Sequence, residues 1–344
     1  MTAERLRSRW IAGGLVAAIV GGVAALLRAS GFELGAAVDA LLQGSVGSWY
    51  ALGSGTLVRA TPLILTGLAV AVAFRAGVFN IGAEGQFLVG AAAGTAVALS
   101  FHAMPAPLLI PAILIVGAVA GAAWAWVAAV LRARFHVLEV ISTIMLNFIA
   151  AYLVSYLVRG PLQEPTHIYP QTAAISIAAR LPRFGATTRL HIGFAIAVSA
   201  SLATWWLIRQ TAGGFRLRAV GANPDAARVA GQIDVERVMM RAFLASGAFA
   251  GMAGAIEVCG VTYALYENIS PGYGYTAIAV ALLARLNTAA VIVTGVLFGA
   301  LEAGANAMQR DAGVPSVVVS VVEAGIILAL VAADRGARRM RTTS

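Results

Sequence analysis

The stretch FNIGAEGQFLVGA, Phe79 to Ala91, decides how this chain folds, because it sets Asn80, Glu84 and Gln86 between two apolar runs that read as membrane spans. Polar side chains at such a place must be covered by protein or line a cavity, since lipid offers them no hydrogen-bond partner. Gly82 and Gly85 lower helix propensity among these side-chain donors and acceptors, and a broken or re-entrant helix here would be tolerated only if it lines a cavity or is covered by protein.

Composition on either side supports a membrane setting. Of 344 residues, 60% are hydrophobic and 11% charged, against about 25% charged in a soluble domain. Runs close to the roughly 20 residues that cross a bilayer fall at 10–27, 57–74, 85–101, 106–131, 139–158, 191–208, 241–262, 275–287, 289–308 and 314–333. The expectation is an all-α integral membrane protein of about ten transmembrane helices, eight to ten because the eighth run is short. The longest gaps, an external loop at 159–190 and a cytoplasmic loop at 209–240, hold 32 residues each, too few for a soluble unit. The whole chain, 1–344, therefore reads as one transmembrane domain, and the first run as a retained helix because Arg28 interrupts its far end.

Orientation follows from arginine, which supplies all 24 basic side chains; lysine does not occur. With the N-terminus inside, seventeen arginines fall on cytoplasmic segments and seven outside, the bias of the positive-inside rule. Both termini are then cytoplasmic.

Several functions are excluded. A Walker A loop needs lysine to reach the terminal phosphates, so this chain carries no such ATPase site. His102, His136, His167 and His191 show no metal-ligand spacing and Cys259 has no second cysteine, which argues against zinc; no metal site is expected. No G-x-S-x-G elbow or nucleophile beside a base is present, so no catalytic residue is assigned. The net charge of +9 lies at span ends, not on a continuous face with interleaved aromatics, so nucleic acid is not a partner. Movement of a solute across the bilayer remains.

Glu84, Glu257, Glu302 and Glu323 fall inside apolar runs, where an acidic group costs about 2.5–3.5 kcal/mol on insertion scales; each must face protein or water. In LFGALEAGANAMQR, Leu297 to Arg310, Glu302 and Asn306 stand four apart and share a helical face. Asn80, Glu84, Gln86, Glu302 and Asn306 are the candidate lining of a polar route for a hydroxyl-rich or amide-bearing solute. FN followed by IGAEGQFLVGA is echoed by LN followed by TAAVIVTGVLFGA, and repeats over spans two to five and seven to ten would have opposite topology, an inverted repeat. Glycines four apart, as at Gly90 and Gly94, Gly117 and Gly121, or Gly247 and Gly251, let helices approach closely.

The cytoplasmic loop carries LRAVGANPDAARVAGQIDVERVMMR, Leu217 to Arg241. Asn223 can cap a short helix whose first turn holds Pro224 and Asp225, and Gly231 can end it in the left-handed conformation. Alone it is too short to be stable; it is expected to be held by its flanking spans, with one side offered to a partner.

Taken together and in this order, FNIGAEGQFLVGA, VGANPDAARVAG and LFGALEAGANAMQR resemble the permease subunits of bacterial ABC importers of the nucleoside and simple-sugar group. The likeness runs over about residues 10 to 333. NIGAEGQ and EAGANAMQ are more similar to the nucleoside permeases served by basic membrane lipoprotein receptors than to ribose permeases. The resemblance implies two permease subunits, the second identical or related, two cytoplasmic ATPase subunits, and an extracytoplasmic solute-binding protein, in the bacterial inner membrane. It implies alternating access without covalent chemistry, ATP and magnesium being used by the partner ATPase and no cofactor by this chain. Gly221, Asn223, Pro224, Ala227, Arg228 and Gly231 match the family's coupling loop. One departure is ALLARLNT, Ala281 to Thr288, where the family shows a pattern like ALLGRLNP; Ala284 and Thr288 put the bend there in doubt. An ion-coupled secondary transporter or channel for a small polar solute stays open as the alternative, and a membrane-embedded enzyme as a weaker one.

Overall fold

A computed structural model describes Gly14, residues 21–22, 24–25, 27–185, 187–231, 233–315, 317–318, 321 and 324. Glu323 and most of the first and tenth apolar runs lie outside the described residues. The chain divides into two compact units, 1–56 with 299–344, and 57–298.

In the larger unit the helices are α2 (Val58–Arg75), α3 (Ala83–Ser100), α4 (Ala106–Phe135), α5 (Glu139–Arg159), α6 (Gly193–Gln210), α7 (Ala212–Ala222), α8 (Pro224–Gly231), α9 (Val235–Glu257) and α10 (Tyr273–Leu283). α1 (Leu34–Ser45) precedes them in the smaller unit, and α11 (Ala290–Ala312) follows and runs from one unit into the other. Among the described residues there are no strands, only isolated bridges joining Gln171 to Tyr266 and Arg183 to His191.

Among the described residues, five helical stretches are long and apolar enough to cross a membrane: Ala51–Arg75, Ala106–Phe135, Glu139–Arg159, Val235–Thr262 and Ala290–Ala312. α3 and α6 have 18 residues each, about 27 Å at the helical rise. α10 has 11 residues, about 16 Å, and covers half a bilayer. The short eighth run is thus a half-helix.

Position within the bundle follows from side-chain character. α2 is apolar on every side and buried along nearly its whole length, as a central helix must be. α4 and α5 turn apolar side chains outward, among them Leu108, Ile115, Val119, Phe148 and Ile149, which is what a lipid-facing helix needs. Glycine brings α9 close to its neighbours: a Cβ at Gly251 would strike the Gly117 carbonyl, and one at Gly254 the Phe87 carbonyl. Helices that share only dispersion contacts in lipid gain from that approach.

Inside α2, Pro62 lacks a backbone donor, and the Thr66 hydroxyl donates to the Pro62 carbonyl at 2.7 Å. π-helical turns lie at Ala51–Leu57, ahead of α2, and at Val258–Thr262, after α9. The segment 159–190 is laid over the second of these: Leu181 N–H donates to the Cys259 carbonyl at 2.9 Å, Ile175 N–H to Tyr263 at 2.8 Å, and Thr172 N–H to Leu265 at 2.8 Å.

In the smaller unit, α1 occupies a segment that the apolar runs leave as a connection. Its Ala37 and Ala40 pack with Leu27, Ala305, Met308 and Val314, and a Cβ at Gly304 would lie 2.7 Å from the Leu41 carbonyl oxygen. The pattern is amphipathic, with Val38 and Leu42 exposed, and too short to register as a span.

Candidate functional site

In the larger unit, residues 76–82 join α2 to α3. α2 ends with Gly77 at φ +78; Gly77 N–H donates to the Phe74 carbonyl at 3.1 Å and Val78 N–H to Ala73 at 3.0 Å. This is a Schellman stop, in which a left-handed residue lets the chain reverse while the last carbonyls keep partners. Glycine is needed because the left-handed region costs other residues about 1–2 kcal/mol.

After this stop the chain is tied by Asn80. Its Oδ1 accepts from Gly82 N–H at 2.8 Å and from Gln86 Nε2 at 3.1 Å, while its Nδ2 donates to Gln86 Oε1 at 3.0 Å and Ser246 Oγ at 2.9 Å. Asn80 and Gln86 are 0% and 1% exposed. They answer each other's amides, so in this conformation neither stands open to a passage.

α3 starts on Gly82, which has no side chain to cap the helix, and the first N–H groups of a helix lack internal partners. Asn147, from α5, supplies one: its Oδ1 accepts from Gly85 N–H at 2.8 Å, while its Nδ2 donates to the Ile81 carbonyl at 2.9 Å and reaches the Tyr275 hydroxyl at 3.4 Å. α10 shows the same device. It starts on Gly272, at φ +100, and its leading N–H groups go to Ser270 Oγ, from Gly272 and Tyr273 at 3.1 Å each, and to Glu84 Oε2, from Gly274 at 2.7 Å. Glu84 is buried, a carboxylate set at the positive end of a half-helix, where the helix dipole favours it.

Two turns in this unit are built alike. α10 also ends in a Schellman stop, Arg285 N–H donating to Leu282 and Leu286 N–H to Ala281, both at 2.9 Å, with Arg285 and Leu286 left-handed at φ +51 and +58. Asn287 then accepts from Ala289 N–H at 3.1 Å, as Asn80 accepts from Gly82. Each helix that follows starts three residues after its asparagine. The bend at ALLARLNT forms with Ala284 right-handed at φ -70, where alanine fits as well as glycine, and the left-handed positions are Arg285 and Leu286.

In the smaller unit Glu302 is half-buried and Asn306 exposed on α11, and Asn306 Nδ2 donates to the Glu302 carbonyl at 2.8 Å. The four-residue spacing brings them together as expected.

The segment between α6 and α9 is helical along most of its length. α7 runs directly into α8, with Asn223 between them. Asn223 Oδ1 accepts from Asp225 N–H at 3.1 Å and Ala226 N–H at 3.0 Å, the expected cap. Gly231 corrects the expectation for the other end: it is the last helical residue and is not among the left-handed glycines, which are Gly31, Gly77, Gly272 and Gly313. α8 buries Ala227 against Ala76, Val78, Val220, Ile233, Val235 and Met239 and leaves Val229 exposed at 83%. Arg228 pairs with Asp225 at 3.6 Å on the exposed side.

Beyond α9, Arg159 holds Glu267 with a two-pronged ion pair at 2.6 and 2.8 Å, and Ser155 also donates to the same carboxylate. These donors, Arg159 first, hold the Glu267 carboxyl down to about 2. Among the described residues no cluster of His, Cys, Asp or Glu has the makings of a metal site.

Asn147, Thr143, Ser246 and Ser270 were not singled out by motif, although Asn147 interrupts the run STIMLNFIA. A lone amide in a span is the signal that would have found it.

Helices long and apolar enough to cross a membrane, a half-helix with a buried carboxylate at its start, and a capped helix on the connecting segment fit a multi-pass membrane transport subunit. The chain belongs to the family described as branched-chain amino acid transport system / permease component, whose model matches residues 52–331. It is 41% identical over 318 residues to the guanosine ABC transporter permease protein NupP of Bacillus subtilis, covering 90% of each chain. It is 41% identical over 288 residues to the glucose ABC transporter permease protein TsgB13 of Haloferax volcanii, covering 81% of this chain and 75% of that one. It is 35% identical over 292 residues to the nucleoside ABC transporter permease protein NupB of Lactococcus lactis, covering 82% and 79%. The protein is an ABC transporter permease, a class that works with ATPase and binding-protein partners.

Proposed function

We propose that this chain is the membrane-spanning subunit of an ABC importer that moves a nucleoside or a related sugar-like solute inward by alternating access. The observation that carries the solute class is the 41% identity across 90% of both chains to a permease named for guanosine; the glucose permease relative keeps sugars within the class. The chain itself has no ATPase site and takes no cofactor, and ATP and magnesium are used by two cytoplasmic ATPase subunits. A second permease copy and an extracytoplasmic binding protein complete the complex. Both termini face the cytoplasm of a bacterial inner membrane.

Coupling falls to Gly221, Asn223, Pro224, Ala227, Arg228 and Gly231. Support comes from α8 itself, an eight-residue helix capped by Asn223, buried on its Ala227 side and exposed at Val229. The solute route is assigned to Asn80, Glu84 and Gln86 in the larger unit and to Glu302 and Asn306 in the smaller one. Support comes from the cost of placing such groups at membrane depth without a role, from the half-helix start held by Glu84, and from the exposed Asn306 amide. The two alike turns at Asn80 and Asn287 support an inverted repeat.

Reconstitution with ATPase subunits and a binding protein tests this reading. Uptake of a radiolabelled nucleoside should require ATP, and Glu84→Ala and Asn306→Ala should lower it more than Cys259→Ala. Uptake that persists without ATPase subunits and collapses with the proton gradient would establish the ion-coupled alternative instead.

A further inference from the structure

We propose that residues 75–80 form a strut through which α7 and α8 act on the Asn80 tie, and that Arg75 is its positioning residue; the inference rests on the reading of α8 as the coupling segment. One end of the strut lies against the coupling helices. Gly221 packs so closely on the Arg75 carbonyl that a Cβ there would collide with it, and a Cβ built on Gly77 would lie 3.7 Å from Gly221 Cα. Ala76 and Val78, both fully buried, share one apolar cluster with Val220 of α7 and Ala227 of α8.

The strut is short and stiff. The Schellman stop fixes residues 76–78 by two backbone hydrogen bonds to α2, so displacement at Gly221 is passed on with little room to be absorbed. Its other end is Asn80, bonded to Ser246 of α9 and Gln86 of α3. Four residues on, Glu84 holds the start of α10 through Gly274. A push on α7 therefore reaches α3, α9 and α10 by contacts that are all in place.

Arg75 adds a second arm. Its Nη1 donates to the Leu286 carbonyl at 2.9 Å, in the turn that matches its own. Loss of that donor leaves the strut touching the coupling helices but frees the Asn287 turn to move separately. The side chain is positioned by the last turn of α2, where a cation also suits the helix dipole. A competing route runs from α8 directly into α9 through Ile233 and Val235, and it bypasses Arg75.

The experiment uses the full complex in liposomes, with ATP hydrolysis and uptake of a nucleoside probe measured in the same vesicles. Arg75→Gln should keep ATP hydrolysis while solute moved per ATP falls about two- to thirtyfold, the span seen for changes along coupled networks. Arg75→Lys, which keeps a cationic donor of similar reach where the shorter neutral amide of Gln does not, should retain most of the wild-type ratio. Val78→Ala trims only the apolar seam and should lower the ratio in the same direction. A wild-type ratio in both Arg75→Gln and Val78→Ala, or an equal fall in Arg75→Gln and Arg75→Lys, overturns the strut and favours the α9 route. A wild-type complex with no ATP-dependent uptake overturns the transport reading instead, so the two failures are distinct.

Discussion

Asn147→Ala should destabilise the protein through backbone groups that the substituted residue itself does not own. Two partners are orphaned, Gly85 N–H, now 2.8 Å from Oδ1, and the Ile81 carbonyl, now 2.9 Å from Nδ2. Asn147 is 2% exposed, and no water in the hydrocarbon layer takes its place. A buried orphan costs roughly 1–3 kcal/mol, giving roughly 2–6 kcal/mol for the pair. Hydrogen bonds between membrane helices measure lower, about 0.6 kcal/mol on average and about 1.7 at most, which for two bonds reaches about 3 kcal/mol. The ranges meet at about 2–3 kcal/mol, or a fall of several degrees in melting temperature at roughly 2–4 °C per kcal/mol. Thermal unfolding in detergent measures it. Asn147→Leu, similar in volume but with neither donor nor acceptor, should also fall. Unchanged melting in both Asn147→Ala and Asn147→Leu would refute the assignment of Asn147 as the cap of α3.

Three further outcomes are expected. Asn223→Ala should weaken α8 by about 0.5–2 kcal/mol and lower solute-stimulated ATP hydrolysis in the reconstituted complex, while Asn223→Asp keeps the cap and the stimulation. Gly251→Ala should destabilise by roughly 1–3 kcal/mol through overpacking, read as loss of monodisperse protein on warming in detergent; Gly213→Ala, whose Cβ would sit 3.8 Å from Thr211 Oγ1, should not. Glu267 has its folded value depressed from 4.5 to about 2, so its contribution is complete above the unfolded value and is lost as pH falls through the folded one. Exchange protection in residues 263–272, corrected for the intrinsic pH dependence of exchange, should therefore hold steady down to about pH 5 and fall below it, and Arg159→Gln should shrink that fall.

Much of this architecture was legible because the bilayer makes local composition informative. Among the described residues the apolar runs became helices, the four-residue glycine spacings became the contacts between α9 and its neighbours, and Asn223 capped α8 through hydrogen bonds only two and three residues away. The reach of such reasoning ended where a partner lies far along the chain. Glu84 was visible as an expensive carboxylate, yet its role at the start of α10 depends on Gly274, 190 residues later. Asn147 serves groups 62 and 66 residues away, and nothing beside it in sequence points to them. Gly231 misled for the opposite reason. Glycine after a polar run permits a left-handed end, but Gly231 stays helical, and Ile233 donates to the Ala227 carbonyl at 3.4 Å.

Cys259 is the only thiol in the chain and is 0% exposed, in the π-helical turn after α9. The native protein is accordingly close to silent toward maleimides, without first having to be stripped of cysteine. Any thiol engineered at a surface position would then report on its own surroundings through the transport cycle. With lysine absent as well, amine-directed labels have no side chain to find, so two orthogonal tags can be placed on this subunit by choice alone.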